Sequence, residues 1–157
     1  MKSKSKINIS VVCLAIFLFF SACDNESGDN VPPVILLVEP AEGAELHIGS
    51  DVHFDLELSD NEMLSSYKIE IHNNFNNHGH EKSSKVDEEE TVDFSFQKSW
   101  DVSGLKNAFI HHHEIVITEN ATPGNYHLMV HCTDAAGNES HTARNIVLSY
   151  KGEVHNH

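Results

Sequence analysis

Residues 52–58 read Val-His-Phe-Asp-Leu-Glu-Leu, a strict alternation of apolar and polar side chains. Side chains along a β-strand point to opposite faces in turn, so Phe54, Leu56 and Leu58 share the face that meets a core. Apolar or alternating runs recur between turns rich in Gly, Pro, Asn and Asp, and they predict seven strands at 34–38, 52–58, 66–72, 92–98, 111–117, 126–132 and 144–150. No segment of useful length has helical periodicity. The pattern predicts an all-β chain folded as an antiparallel β-sandwich.

The beginning of the chain has the features of an export signal. Three lysines precede an apolar run over 11–20, which is too short to span a bilayer comfortably. The junction Phe20-Ser21-Ala22-Cys23 resembles a bacterial lipobox, which implies that residues 1–22 are removed and that Cys23 carries a lipid. Residues 23–32 are then expected to be an acidic, disordered tether. We therefore expect an outer-membrane lipoprotein of the cell envelope, with the membrane as a partner and the domain facing the periplasm or the cell surface.

The remaining chain is long enough for one domain with a real core, at 33–150, followed by a His-containing tail at 151–157. Cys132 is the one cysteine of this domain, so no intramolecular disulfide is possible and we expect the thiol to be buried. The exported chain has 7 Lys and Arg against 24 Asp and Glu, a formal charge of −17. A surface of this charge repels nucleic acid and attracts cations, so we expect no nucleic-acid partner.

Histidine is the most informative residue type. The chain has 13 histidines, all from His47 onward, and they concentrate in 72–81 and 111–114. Neutral imidazole is the commonest metal ligand, and several imidazoles within reach of one point favour zinc, copper or nickel over calcium or magnesium. The expected cofactor and partner is therefore a divalent transition metal, zinc or copper.

Several turn and strand motifs carry a family resemblance. They are Pro32-Pro33-Val34-Ile35, Pro40-Ala41-Glu42-Gly43-Ala44, Ser59-Asp60-Asn61-Glu62, Pro123-Gly124-Asn125-Tyr126 and Thr133-Asp134-Ala135-Ala136-Gly137-Asn138. With the lipobox and the His-rich segments, the chain resembles a domain-of-unknown-function family of Gram-negative, His-rich, immunoglobulin-like lipoproteins over about residues 33 to 150. The resemblance implies an immunoglobulin-like antiparallel β-sandwich of about seven strands, and it brings no established activity.

Strand alternation predicts one group of imidazoles. His72 and His127 point outward on strands that are antiparallel neighbours in an immunoglobulin-like sheet, where opposite side chains lie about 4.5–5.5 Å apart. The loop that leaves the first of these strands carries His78 and His80. We expect these four histidines to form one transition-metal site.

The triplet His111, His112 and His113 is also expected to supply metal ligands, because three consecutive histidines at the start of an apolar strand are uncommon. Simple alternation of seven strands places the triplet at the opposite end from His72, which makes two sites. If the connection over 73–91 folds across the sandwich, the triplet joins the first group and the protein has a single site. His111 and His113 share a face, and His112 points to the other. Isolated outward histidines are interpreted as ordinary solvated strand residues: His53, His131 and His141.

The leading hypothesis is a lipid-anchored metal-binding protein that acts as a chaperone, scavenger or buffer. The alternative is an adhesive or carbohydrate-binding module, for which Trp100, the only Trp, would serve as a sugar platform. An enzyme is not expected, because the chain has no nucleophile motif and no His-Glu-x-x-His helix. Calcium at Asp60 and Asp134 is disfavoured, because the oxygen ligands are scattered along the chain and turn chemistry explains both residues.

Overall fold

Two β-sheets pack face to face in the computed structural model, which describes residues 28–74 and 91–152. These residues form eight strands: β1 (Val34–Glu39), β2 (Glu45–His47), β3 (Phe54–Ser59), β4 (Leu64–Asn73), β5 (Phe96–Asp101), β6 (Asn107–His112), β7 (Gly124–Asp134) and β8 (Glu139–Ser149). One sheet has the order β1-β3-β6 and the other the order β2-β8-β7-β4-β5. The predicted β-sandwich is confirmed. Within the described residues there is no helix that could cross a membrane.

Alternation along the strands builds the core between the sheets. The predicted inward residues of β3, Phe54, Leu56 and Leu58, are buried. The five-stranded sheet contributes Ile69, Ile71, Tyr126, Leu128, Val130, Cys132, Ile146 and Leu148. Full burial of a Leu, Ile or Phe side chain contributes about 1.5–3 kcal/mol, so this apolar layer is the main support of the fold. Burial also raises the pKa of the Cys132 thiol to about 11, which keeps the thiol protonated and unreactive.

The strand directions define two ends of the sandwich. At the upper end β3 begins, β6 finishes antiparallel to it, and His72 near the end of β4 pairs with His127 near the start of β7. The lower end holds the turn between β3 and β4, the turn between β7 and β8, and the segment 28–33 that leads into β1.

The structure corrects the boundaries of the strand predicted at 111–117. This strand is β6, which pairs with β3 from Asn107 opposite Ser59 to His112 opposite Phe54. The histidine triplet therefore begins at the end of a strand rather than at its start, and it lies at the upper end, as His72 does. The alternation was hidden because Phe109 is apolar and yet 80% exposed on the outer face.

Two edge strands also differ from the sequence prediction. The strand predicted at 92–98 is β5, which begins at Phe96 and pairs with β4. The additional strand is β2, three residues that pair in parallel with β8. A run of three residues is too short to show alternation, and an edge strand with one neighbour needs little apolar surface.

A buried tyrosine fastens the segment before β5 to the start of β7. The Tyr126 hydroxyl donates a hydrogen bond to the Thr122 carbonyl oxygen at 2.8 Å and accepts one from the Phe94 backbone N–H at 3.2 Å. This is the corner arrangement expected of a Tyr that follows Pro-Gly-Asn in an immunoglobulin-like sandwich.

Candidate metal centre

Three imidazoles meet at the upper end on the outer face of the three-stranded sheet. One ring nitrogen from each of His53, His111 and His113 lies within 4.8 Å of the others. The ring centroids are 5.0 Å apart for His53 and His111, 5.1 Å for His53 and His113, and 5.4 Å for His111 and His113. Each pair meets edge to face. We call these three residues the histidine cluster.

Strand register explains why these three residues meet. Phe54 and His112 are opposite each other and point into the sandwich, so the residues on either side of them point outward. Asp55 lies directly opposite His111. His53 and His113 flank the inward pair, one just before β3 and the other just after β6.

Two carboxylates hold the rings of the cluster. The Asp55 oxygens lie 2.8 Å from His53 Nε2 and 2.7 Å from His111 Nδ1. Asp51 Oδ2 lies 2.7 Å from His113 Nδ1. The hydrogen bonds from His111 and His53 hold the pKa of Asp55 below its usual range. An ionised carboxylate only accepts hydrogen bonds, so the bonded ring nitrogen carries the proton and the other nitrogen of a neutral ring carries the lone pair.

The geometry of the histidine cluster fits a small divalent ion. Zinc–nitrogen bonds are about 2.0–2.1 Å, so two nitrogens on a tetrahedral ion lie roughly 3.3 Å apart. Small side-chain rotations bring nitrogens within 4.8 Å of one another to that separation. The His111 side chain is 61% exposed, compared with 30% for His53 and 24% for His113. An ion can therefore reach the cluster from solvent without opening the fold.

His112 is also a predicted metal ligand, but its side chain points away from the cluster. Its ring stacks on Phe54 at 4.9 Å and on Trp100 at 5.0 Å between the two sheets. Burial holds the pKa of His112 below its usual range, so the ring is neutral at pH 7. The residue belongs to the packing at the edge of the sandwich.

The second predicted group lies on the opposite outer face. His72 and His127 are directly opposite each other on β4 and β7, with ring centroids 5.6 Å apart. His127 Nε2 is 2.8 Å from Asn74 Nδ2. His78 and His80 lie outside the described residues. Because packed sheets are about 10 Å apart, no ion can bind both this pair and the histidine cluster.

His53 is the residue that sequence reasoning missed. Its position one residue before β3 gives it the pattern of an isolated outward histidine, yet its ring contacts the rings of both His111 and His113. A signal was present in the sequence, since His53 has acidic residues two positions away on both sides, Asp51 and Asp55. That spacing places a carboxylate on the same face of a strand as the imidazole.

A comparison with protein-family models matches residues 20–149 to the family described as a domain of unknown function, DUF4625. A comparison with curated proteins found no match. The matched region runs from Phe20 to the end of β8, which is most of the chain. The chain therefore belongs to the DUF4625 family, a domain of unknown function.

Proposed function

We propose that His53, His111 and His113 bind a transition-metal ion, zinc or copper, in a lipid-anchored metal-binding protein of the Gram-negative cell envelope. One observation carries the proposal: three imidazoles converge on one outer face, and each is hydrogen-bonded to Asp51 or Asp55. Histidines that ligate metals almost always hydrogen-bond through the other ring nitrogen to a carboxylate, a carbonyl or water. The protein acts as a scavenger, chaperone or buffer rather than as an enzyme.

The donor atoms favour zinc or Cu(II) over hard cations. Imidazole nitrogen suits zinc, copper and nickel, whereas calcium and magnesium prefer oxygen. Three protein ligands leave a fourth position on a tetrahedral ion, which water or an exchangeable ligand can fill. A donor from another molecule can take this position, and transfer of an ion requires such a step.

The electrostatics of the surface support cation capture. The whole chain has a formal net charge of −14, which raises the concentration of cations near it. A groove of about 700 Å³ runs beside His53, and Glu39 and Glu45 are among its lining residues. These two carboxylates share the groove with His53 and with one basic residue, Lys151, so the groove favours cations through its acidic residues.

The proposed anchor gives the ion a location. The lipobox ending at Cys23 and the acidic residues after it support attachment to the outer membrane, with the domain in the periplasm or at the cell surface. A tethered domain that captures ions keeps them at the membrane surface.

Calorimetric titration with zinc, Cu(II) and nickel tests the site. The full chain, purified in detergent, is compared with the double variant His53→Ala/His111→Ala. We expect the variant to lose the tightest binding event, because one imidazole remains. We also expect wild-type binding to weaken as the pH falls through about 6.5, since a protonated imidazole cannot ligate.

The matched control is the double variant His131→Ala/His141→Ala. These two histidines are cross-strand partners with ring centroids 5.9 Å apart, so the control removes the same number of imidazoles from a pair in contact. The variant His72→Ala/His127→Ala tests the pair on the opposite face. If that variant loses tight binding and His53→Ala/His111→Ala keeps it, the proposed site is wrong.

A second candidate function is adhesion, favoured by an exposed apolar patch on the three-stranded sheet. Phe109 is 80% exposed, and Leu36 and Val38 on the same face are 54% and 45% exposed. Trp100 is a poor sugar platform, because its ring stacks on Tyr67 and His112. A glycan and matrix-protein screen with wild type and Phe109→Ala tests this candidate, and loss of a specific hit in the variant would support it.

A further inference from the structure

Three aspartates meet at the lower end of the sandwich, far from the histidine cluster. Asp29 precedes β1, Asp60 follows β3 and Asp134 ends β7. One carboxylate oxygen from each lies within 4.8 Å of the others. We call these residues the aspartate cluster. It brings together three segments that are remote in the sequence, so oxygen ligands that look scattered along the chain, and that made calcium at Asp60 and Asp134 a disfavoured prediction, lie side by side in the fold.

Hydrogen bonds fix the direction of each carboxylate. Asp60 Oδ1 accepts from the backbone N–H groups of Glu62 at 2.8 Å and Met63 at 2.7 Å. Asp29 Oδ1 accepts from the Val31 N–H at 3.0 Å and from Asn61 Nδ2 at 2.9 Å. These bonds occupy one oxygen of each residue and leave the second oxygen to point elsewhere.

The second oxygens are buried without a donor. Asp29 Oδ2 and Asp60 Oδ2 have almost no accessible surface, and neither has a hydrogen-bond partner. Buried carboxylate oxygens in native proteins are normally hydrogen-bonded, paired or bound to a metal. Two buried oxygens without a donor, beside a third carboxylate, therefore favour the binding of a positively charged ligand at this place.

Asp134 makes the cluster more negative. Its side chain is buried, and its oxygens accept from the Asn138 N–H at 2.8 Å and from Asn138 Nδ2 at 2.7 Å. Burial alone would raise the pKa of Asp134, but the hydrogen bonds from Asn138 and the turn backbone hold it below its usual range. The carboxylate is therefore ionised at neutral pH.

Among the described contacts, no basic side chain neutralises these charges. The Lys106 amino group lies nearby and donates to the Asn61 carbonyl oxygen at 2.8 Å, not to a carboxylate. Like charges at this separation repel one another, and burial strengthens the repulsion. A bound cation removes the repulsion and supplies partners for both orphaned oxygens.

We infer that the aspartate cluster binds a calcium ion. All of its donors are oxygens, which suit calcium rather than the transition metals proposed for the histidine cluster. Calcium–oxygen distances are about 2.3–2.6 Å, so ligands on opposite sides of the ion lie roughly 4.6–5.2 Å apart. The three carboxylate oxygens all lie within 4.8 Å of one another, so one calcium ion can contact all three. Magnesium fits such a set of protein carboxylates less well, because it demands near-ideal octahedral geometry and usually keeps several of its waters.

The position of this ion gives it a structural role. The segment that leads into β1 meets the turns after β3 and β7 through Asp29, and Asn138 Nδ2 already donates to the Asp29 carbonyl oxygen at 3.1 Å. Calcium would fasten the start of the domain to both turns. The ion would thus stabilise the end of the domain that joins the proposed membrane tether.

Thermal unfolding with and without calcium tests the inference on the full chain in detergent. In EGTA, we expect Asp60→Asn to melt at or above the wild-type temperature, because one repelling charge is gone. In about 5 mM calcium, which exceeds the dissociation constants of typical extracellular modules, we expect the wild type to melt above the variant. Calorimetry should give the double variant Asp29→Asn/Asp60→Asn at least about tenfold lower calcium affinity, since ligand charge sets the affinity.

The matched control is Glu62→Gln, an exposed residue of the same turn that loses the same charge. We expect this variant to keep the wild-type response to calcium. We expect His53→Ala/His111→Ala to keep that response as well, and this result would separate the calcium site from the proposed transition-metal site. The inference is overturned if calcium neither binds nor raises the melting temperature of the wild type. It is also overturned if Glu62→Gln loses the response as fully as Asp29→Asn/Asp60→Asn, or if magnesium at the same concentration stabilises the wild type equally.

Discussion

Asp55 is the most informative position for testing the proposed metal centre, because one carboxylate serves two of the three imidazoles. Its oxygens lie 2.8 Å from His53 Nε2 and 2.7 Å from His111 Nδ1. In Asp55→Asn the amide nitrogen replaces one oxygen and cannot accept a hydrogen bond. At least one imidazole then loses the acceptor that fixes its tautomer, and because Asn has nearly the shape of Asp and Asp55 points away from the core, we expect the fold to be kept.

The size of the expected loss of metal affinity follows from what is known of carboxylates that hydrogen-bond to metal-binding histidines. Removing a hydrogen-bond partner of a ligating histidine costs about 10- to 100-fold in metal affinity. This is about 1.4–2.7 kcal/mol of binding free energy. We expect the loss of affinity in Asp55→Asn to fall in the upper half of this range, because the Asp55 carboxylate is hydrogen-bonded to two rings. Asp51→Asn should also weaken metal binding, because Asp51 Oδ2 lies 2.7 Å from His113 Nδ1.

Zinc competition titration at pH 7.5 measures this difference, and Glu57→Gln is the control. Glu57 is exposed on the same face of β3, two residues further along, so the control removes the same charge without a bond to the cluster. At roughly 8 Å and physiological salt, loss of that charge changes the affinity for a divalent ion by about twofold. Equal affinities for Asp55→Asn and Glu57→Gln would refute the view that Asp55 orients two ligands.

Four further outcomes are expected. Cys23→Ser should move the protein out of the detergent-extracted membrane fraction, and unchanged partitioning would contradict the lipid anchor. Chelation and reduction should leave the β-type circular dichroism intact, because the core is apolar and the described cysteine, Cys132, is unpaired; a collapse to random coil would show that the whole fold, and not one end of it, depends on a bound metal. Tyr126→Phe should lower the free energy of unfolding by about 1–3 kcal/mol in urea, because the buried Phe94 N–H loses its acceptor, and a change near zero would show that water replaces the hydroxyl. His112→Phe should flatten the pH dependence of stability: burial lowers the pKa of His112, so the unfolded chain binds this proton more readily and stability falls as the pH drops through about 6.5. Urea denaturation at pH 7.5 and 5.5 tests this, and an unchanged loss of stability in the variant would assign the effect to other groups.

The fold could be predicted because burial on one face imposes a period of two. Phe54, Leu56 and Leu58 alternate with polar residues and are all buried, and the same logic holds for 126–132. The pattern fails where an outward residue is apolar. Phe109 obscured the alternation of β6, and the predicted strand began four residues too late.

The candidate site was less predictable, because alternation gives the face of a side chain and not its neighbour on the next strand. His72 and His127 could be paired from an assumed strand order, and they do lie opposite each other. His53 could not be paired with His111, because their proximity depends on the register of β3 with β6. An error of four residues in the start of β6 moved the triplet to the wrong end of the sandwich.

The two proposed sites differ in their exposure to solvent, and this difference determines how readily each can exchange its ion. In the histidine cluster the His111 side chain is 61% exposed, so an incoming ligand can reach the ion while the strands stay paired. In the aspartate cluster two carboxylate oxygens have almost no accessible surface, so an ion there leaves only when the segment before β1 or one of the turns moves. A site that exchanges its ion without local unfolding suits capture and transfer, whereas a site that must open suits a structural clamp. Nitrogen donors at the exposed site and oxygen donors at the buried one also keep the two ions from competing, because each donor set prefers a different class of metal.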